Sequence, residues 1–106
     1  MLNKKERLTN KEFDRFFSLG KRYHSDYFTL IFNPHPTFHG AVVVGKKVSK
    51  KAVARNKIRR RVYSALYNVY QDNNLSGVYL ILVKPMAAKV AYQDIKQVLS
   101  ELINGL

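Results

Sequence analysis

Ile58, Val62, Ala65, Leu66 and Val69 recur at helical spacing within residues 51–71. One face of a long helix is therefore apolar, and it must be buried against another layer of structure. The flanking segments supply that layer. Residues 23–33 are rich in aromatic and β-branched side chains and read as a strand, with Phe28, Leu30 and Phe32 facing one way and Tyr27, Thr29 and Ile31 the other. Asn33-Pro34-His35-Pro36 breaks it, and residues 41–45 form a second strand, joined to the first as a hairpin. Residues 78–84 are an apolar run of strand length that belongs at the centre of a sheet, ended by Pro85.

Two further helices flank this core. Thr9-Asn10-Lys11-Glu12 has the capping-box pattern, which starts a helix that runs to Leu19 and stops at Gly20. The last helix begins at Val90 or Tyr92 and ends at Ile103, with Ile95, Val98, Leu99 and Leu102 inward. Mixed order in a chain of 106 residues, with no repeat and no linker, predicts one α+β domain with helices packed on a small sheet.

The charge on this frame is uneven. Lys and Arg number 19 against 7 Asp and Glu, for a net charge of +12. Nine of those cations (Lys46, Lys47, Lys50, Lys51, Arg55, Lys57, Arg59, Arg60 and Arg61) lie in one short stretch, and no acid occurs between Asp26 and Asp72. A field so concentrated repels itself unless the partner is a polyanion. With the apolar stripe inward, Asn56, Arg60, Tyr63 and Tyr67 share the outer face of the long helix, flanked by Arg59 on one side and by Lys57 and Arg61 on the other. Guanidinium forks bind phosphate, and phenol rings stack on bases. A merely solvated helix would carry Glu partners at i and i+4, and none is present. Nucleic acid is the partner this pattern predicts.

Other chemistry is poorly supplied. There are no cysteines, which excludes disulfides and thiolate metal sites. His35 and His39 straddle Pro36 in a loop, so they are not a helical metal pair. No paired carboxylates, no acid-base constellation and no Gly-rich phosphate loop occur, so no catalytic residue is expected in the chain. The N-terminus lacks an apolar signal core and no apolar run is long enough to span a bilayer, which predicts a soluble, cytoplasmic protein that does not engage membranes. Phe13 and Phe17, four apart on the first helix, fit either a core contact or an exposed wall on which unpaired bases stack.

The stretch VGKKVSKKAVARNKIRRRV resembles the signature of the protein component of bacterial ribonuclease P, in which Val-x-Lys-Lys leads to Ala-x-x-Arg-Asn-x-x-Arg/Lys-Arg. Here these are Val44, Lys46 and Lys47, then Ala52, Arg55, Asn56, Arg59 and Arg60. The segment from Lys4 to Arg22, the strand begun by Tyr27-Phe28, and Val78 to Pro85 with the final helix resemble the rest of the family, so nearly the whole chain is covered.

The resemblance implies a two-layer α/β sandwich, similar to domain 2 of ribosomal protein S5, of order α-β-β-β-α-β-α with a left-handed crossover. It implies an accessory subunit of an endoribonuclease whose catalytic centre, with its Mg2+, belongs to an RNA subunit. The protein, a monomer with one copy per RNA, would assist 5′ maturation of precursor tRNA. By the same resemblance Arg55, Asn56, Lys57, Arg59 and Arg60, with Lys46 and Lys47 before them, would contact the catalytic RNA, while Phe13, Phe17, Thr29 and Ile31 would line a cleft for the 5′ leader; Lys50, Lys51 and Tyr63, on the same charged stretch and helix face, are expected to join the RNA contacts. Ile31 stands where many members carry an aromatic residue, and Tyr63 where some carry a basic one. The competing readings are a ribosomal or other structural RNA binder with no reaction, a DNA-binding protein that uses the long helix in a groove, and a self-sufficient nuclease.

Overall fold

The computed structural model describes residues 6–106. Lys4 and Lys5, which open the resemblance, lie outside the described residues. The elements are α1 (Asn10–Leu19), β1 (Lys21–His24), β2 (Phe28–Asn33), β3 (Phe38–Val43), α2 (Ala52–Asn73), β4 (Gly77–Val83), a short 3-10 segment (Pro85–Lys89) and α3 (Tyr92–Asn104). The expected order α-β-β-β-α-β-α is the one observed.

The four strands form a single sheet of order β1-β2-β4-β3, with β3 and β4 parallel and the other pairs antiparallel. Two expectations fail here. Residues 23–33 are not one strand. The Ser25 hydroxyl accepts the backbone N–H groups of Tyr27 and Phe28 at 3.3 and 3.1 Å, so the chain turns and forms the β1–β2 hairpin. Side-chain capping of this kind competes with the strand ladder. Tyr27 consequently leaves the Thr29–Ile31 face and packs with the helical layer.

Nor do β2 and β3 make a hairpin, because β4 lies between them. Six of the seven β4 residues are buried, and only Leu82 is half-buried. A strand apolar on both sides is most stable with neighbours on both edges and helices on both faces. β3 also begins earlier than expected, at Phe38, whose ring stacks on Tyr70 of α2 with centroids 4.0 Å apart. Its outer edge is covered by the chain before α1, where Arg7 bridges Gly40 and the Gly40 N–H donates to the Glu6 carbonyl at 2.8 Å.

α2 and α3 cover one face of the sheet. The stripe Ile58, Val62, Ala65, Leu66 and Val69 is buried there as expected, against Phe28, Leu30, Tyr79 and Ile81. α3 buries Ile95, Leu99 and Ile103, with Val98 and Leu102 half-buried. The Tyr92 hydroxyl accepts from Asn68 at 2.8 Å and ties α3 to α2. No helix among the described residues is long and apolar enough to cross a membrane.

α1 packs on the opposite face over a smaller cluster, Ile31, Val78 and Leu80. Its capping box is formed: Thr9 N–H donates to Glu12 Oε1 at 2.9 Å, and Glu12 N–H donates to Thr9 Oγ1 at 3.3 Å. The hydrogen bonds from the Thr9 backbone and hydroxyl hold the Glu12 carboxyl below its usual pKa range. Its cap contribution is therefore present above the ordinary carboxylate range and is lost as pH falls through the lowered value.

Buried Asn33 donates from Nδ2 to the Phe16 carbonyl at 3.0 Å, pinning the end of α1 to β2. Gly20 follows in extended backbone, so it serves close approach rather than a left-handed turn. A Cβ there would collide with Ile31 Cγ2 and lie 2.6 Å from Asn33 Nδ2. Gly20→Ala is accordingly expected to cost about 1–3 kcal/mol of stability, measured by denaturant unfolding. A variant as stable as the parent would show that α1 tolerates lifting from the sheet.

Candidate nucleic-acid interface

The chain leaves β3 at Val43, buries Val44, and makes a turn closed by the Val48 N–H donating to the Gly45 carbonyl at 3.1 Å. Val48 is half-buried against the main core, which anchors the turn. Lys46, Lys47, Lys50 and Lys51 are exposed around it. α2 then begins at Ala52 with Lys51 as N-cap, no side-chain cap and no acid in its first turn. The first N–H groups of that end have no side-chain cap, and such an end attracts anions.

The motif side chains divide into two kinds. Asn56, Lys57, Arg60 and Arg61 are exposed. Arg59 is half-buried and donates from Nη1 to Asn56 Oδ1 at 2.6 Å, so the two are held side by side. Arg55 is half-buried and hydrogen-bonds within the protein. Its Nη1 donates to the carbonyls of Ser49 at 3.0 Å and Lys50 at 2.9 Å. The guanidinium folds back and clamps the turn that displays the lysines. Tyr63, placed by helical phase on the outer face, is half-buried and packs against the core, as does Tyr67. A long phenol ring reaches the side of the helix that its Cα does not face. The exposed surface is thus more cationic and less aromatic than the spacing suggested. Among the described residues the one ion pair is Lys96–Asp72 at 3.2 Å, so none of the nine cations is neutralised by a carboxylate.

A second surface lies on the face under α1. Phe13 and Phe17 are half-buried with ring centroids 5.8 Å apart, and the Arg22 guanidinium sits 4.6 Å from the Phe17 centroid. Ile31 is fully buried beneath α1, so its side chain supports the surface rather than forming part of it. Thr29 is 8% exposed, and its hydroxyl meets His24 Nδ1 at 3.1 Å. Strand register puts His24, Thr29, Leu82 and Val43 in one row across the sheet, on this same face. Val43 is 39% exposed. The result is a trough walled by Phe13, Phe17 and Arg22, with that row as its floor. Arg22, His24, Val43 and Leu82 were not singled out from sequence, since only cross-strand register brings them onto the face that carries α1.

His35 and His39 stand at the far side of α1. Their rings are 4.9 Å apart, with the Thr37 hydroxyl 3.2 Å from His35 Nδ1 and 2.8 Å from His39 Nε2. Among the described residues no group of three His, Cys, Asp or Glu side chains could hold a metal ion.

Fold and surface together define a class: a small α+β domain with an unneutralised cationic strand-turn-helix on one side and an aromatic trough on the other. Comparison with known proteins narrows this. The family model for ribonuclease P matches residues 2–106. The ribonuclease P protein component of Nitratiruptor sp. is 34% identical over 98 residues, covering 92% of this chain and 88% of the relative. That of Microcystis aeruginosa is 29% identical, covering 88% and 82%. The solved RNase P protein of Thermotoga maritima superposes with a TM-score of 0.76 at 21% identity over 95% of this chain and 97% of that one. The Staphylococcus aureus protein gives 0.76 at 17% identity, over 93% of each. The chain belongs to the ribonuclease P protein family.

Proposed function

We propose that this chain is the protein subunit of a bacterial ribonuclease P and works in the cytoplasm as a monomer, one per RNA subunit. It binds the catalytic RNA through the β3–α2 turn and the outer face of α2, and holds the 5′ leader of precursor tRNA in the trough beside α1. The observation that carries this reading is the cluster of nine cations without a single carboxylate partner among the described residues. Two RNAs repel each other, and a cationic wedge between them lowers that cost. Cleavage of the leader, with Mg2+, is assigned to the RNA; the protein supplies counter-charge and position.

Within the protein the roles separate. Lys46, Lys47, Lys50 and Lys51 and the open end of α2 meet phosphates. Asn56, Lys57, Arg59 and Arg60 extend that contact along α2. Arg55 positions the turn. Phe13 and Phe17 offer stacking faces to unpaired leader bases, Arg22 a backbone contact, and Thr29 a polar floor, with Ile31 as support below. Tyr63 contributes its exposed edge only.

Reconstitution with a bacterial ribonuclease P RNA at low magnesium tests the whole. The protein is expected to stimulate 5′ processing and to tighten binding of precursor over mature tRNA. Failure of both would overturn the proposal in favour of a structural RNA binder, and cleavage by the protein alone would favour a nuclease. Phe17→Ala is expected to weaken leader-bearing substrate by roughly 5- to 100-fold, the cost of losing about one stacked base, and to leave leaderless tRNA unaffected. Equal loss on both substrates would remove the trough from leader binding.

A further inference from the structure

A groove of about 570 Å3 lies at the end of the sheet nearest the β3–α2 turn, lined by residues that pack with the helical layer, on the face opposite the trough. Its lining includes Tyr27, Val48, Met86, Ala88 and Val90, together with Lys89. Three segments build it, and hydrogen bonds tie two of them together: the Lys84 N–H donates to the Tyr27 carbonyl at 2.8 Å, and Lys84 Nζ donates to the Ser25 carbonyl at 2.7 Å. Ala87 is buried beneath the 3-10 segment and fixes it to the core, while Met86 is left 61% exposed. Val48 is held by its own closed turn. The groove is therefore preformed, and its size lies within the range of small-ligand sites, about 300–1,000 Å3.

Its surroundings identify the occupant. Lys47 adjoins Val48, and Lys46 and Lys50 lie in the same turn. Among the described residues these ammonium groups, that of Lys89 and the Tyr27 hydroxyl have no partner. The only carboxylate in the three segments is Asp26. An apolar slot with a phenol ring and an adaptable thioether suits a flat heteroaromatic group. The lysines beside it suit the phosphates on either side of that group.

We propose that this groove receives one unpaired nucleobase of the RNA partner, with the adjoining phosphates on Lys47 and Lys89. The inference rests on the reading of the chain as a ribonuclease P subunit and adds a third contact, continuous with the β3–α2 turn through Lys47 but apart from α2 and the trough.

The test is ultraviolet crosslinking of the full-length chain bound to a bacterial ribonuclease P RNA, with adducts located by mass spectrometry. A nucleotide adduct on Tyr27 or Met86 is expected. Ala88→Trp, which fills the slot, is expected to abolish that adduct and to weaken RNA binding roughly 5- to 100-fold, while adducts on α2 persist. Met86→Ser, which keeps the slot open but removes one wall, guards against misfolding of the tryptophan variant and is expected to give an intermediate loss. Normal binding with adducts confined to α2 or the trough, or unchanged affinity in a folded Ala88→Trp protein, would overturn this inference alone. Crosslinking of the groove to a protein would overturn it in favour of a peptide site. Failure of the unmodified chain to bind the RNA would overturn both this inference and the proposed function.

Discussion

Lys57→Gln, Arg60→Gln and Arg61→Gln combined should weaken binding to a ribonuclease P RNA by roughly 10²- to 10³-fold, if each removes about 1–1.5 kcal/mol of charge-assisted contact. All three side chains are exposed, and none has a hydrogen bond or an ion pair to any of the described residues. Thermal stability should stay within about 0.5 kcal/mol of the parent, the range for exposed positions without partners. The dependence of log K on log[salt] should become shallower by about 2 to 3, because each phosphate contact contributes slightly under one. Titrations at several salt concentrations read the slope directly. An unchanged slope would remove this face of α2 from the RNA.

Arg55→Gln provides the contrast. Its Nη1 donates to the Ser49 and Lys50 carbonyls. The variant should loosen the lysine turn and cost about 1.5–3 kcal/mol of stability, with a slope change smaller than one. A full unit of slope with no loss of stability would instead make Arg55 a phosphate ligand.

The other large effect is on the core. Leu80 is fully buried in β4, on the face that carries α1, beside Ile31 and Val78. Leu80→Ala should cost about 2–5 kcal/mol, the sum of lost transfer energy and the cavity left behind. Total stability of a domain this size is about 5–15 kcal/mol, so the variant should melt lower by roughly 10–30 °C. The damage lies under the trough and not under α2. At a temperature where the variant is still folded, discrimination between precursor and mature tRNA should therefore fall more than affinity for the catalytic RNA. Equal loss of both would mean that the two surfaces do not act independently.

Local signals in the chain were sufficient for much of the site. The α2 stripe and the Thr9–Glu12 box depend on residues within a few positions of one another, and both formed as the spacing predicts. The acid-free run of cations is likewise a property of composition along the chain. What Arg55 and Tyr63 do was not legible in this way. Helical phase says which way a Cα–Cβ bond points, but not that a long side chain will turn back to a backbone carbonyl or lie down on the core.

Strand order was decided only by the tertiary structure. Ser25 could have sat in a strand, and residues 33–40 could have closed a hairpin; each is acceptable locally. The arrangement β1-β2-β4-β3 prevails because β4 is apolar on both faces and excludes most water when β2 and β3 flank it. The same arrangement lays His24, Thr29, Leu82 and Val43 in one row on the face that carries α1 and drives Ile31 beneath that helix. Charge and periodicity along the chain thus determined that a long helix is apolar on one face and cationic on the rest. Which residues share the trough with Phe17 depended on strand register, a relation between segments distant in sequence.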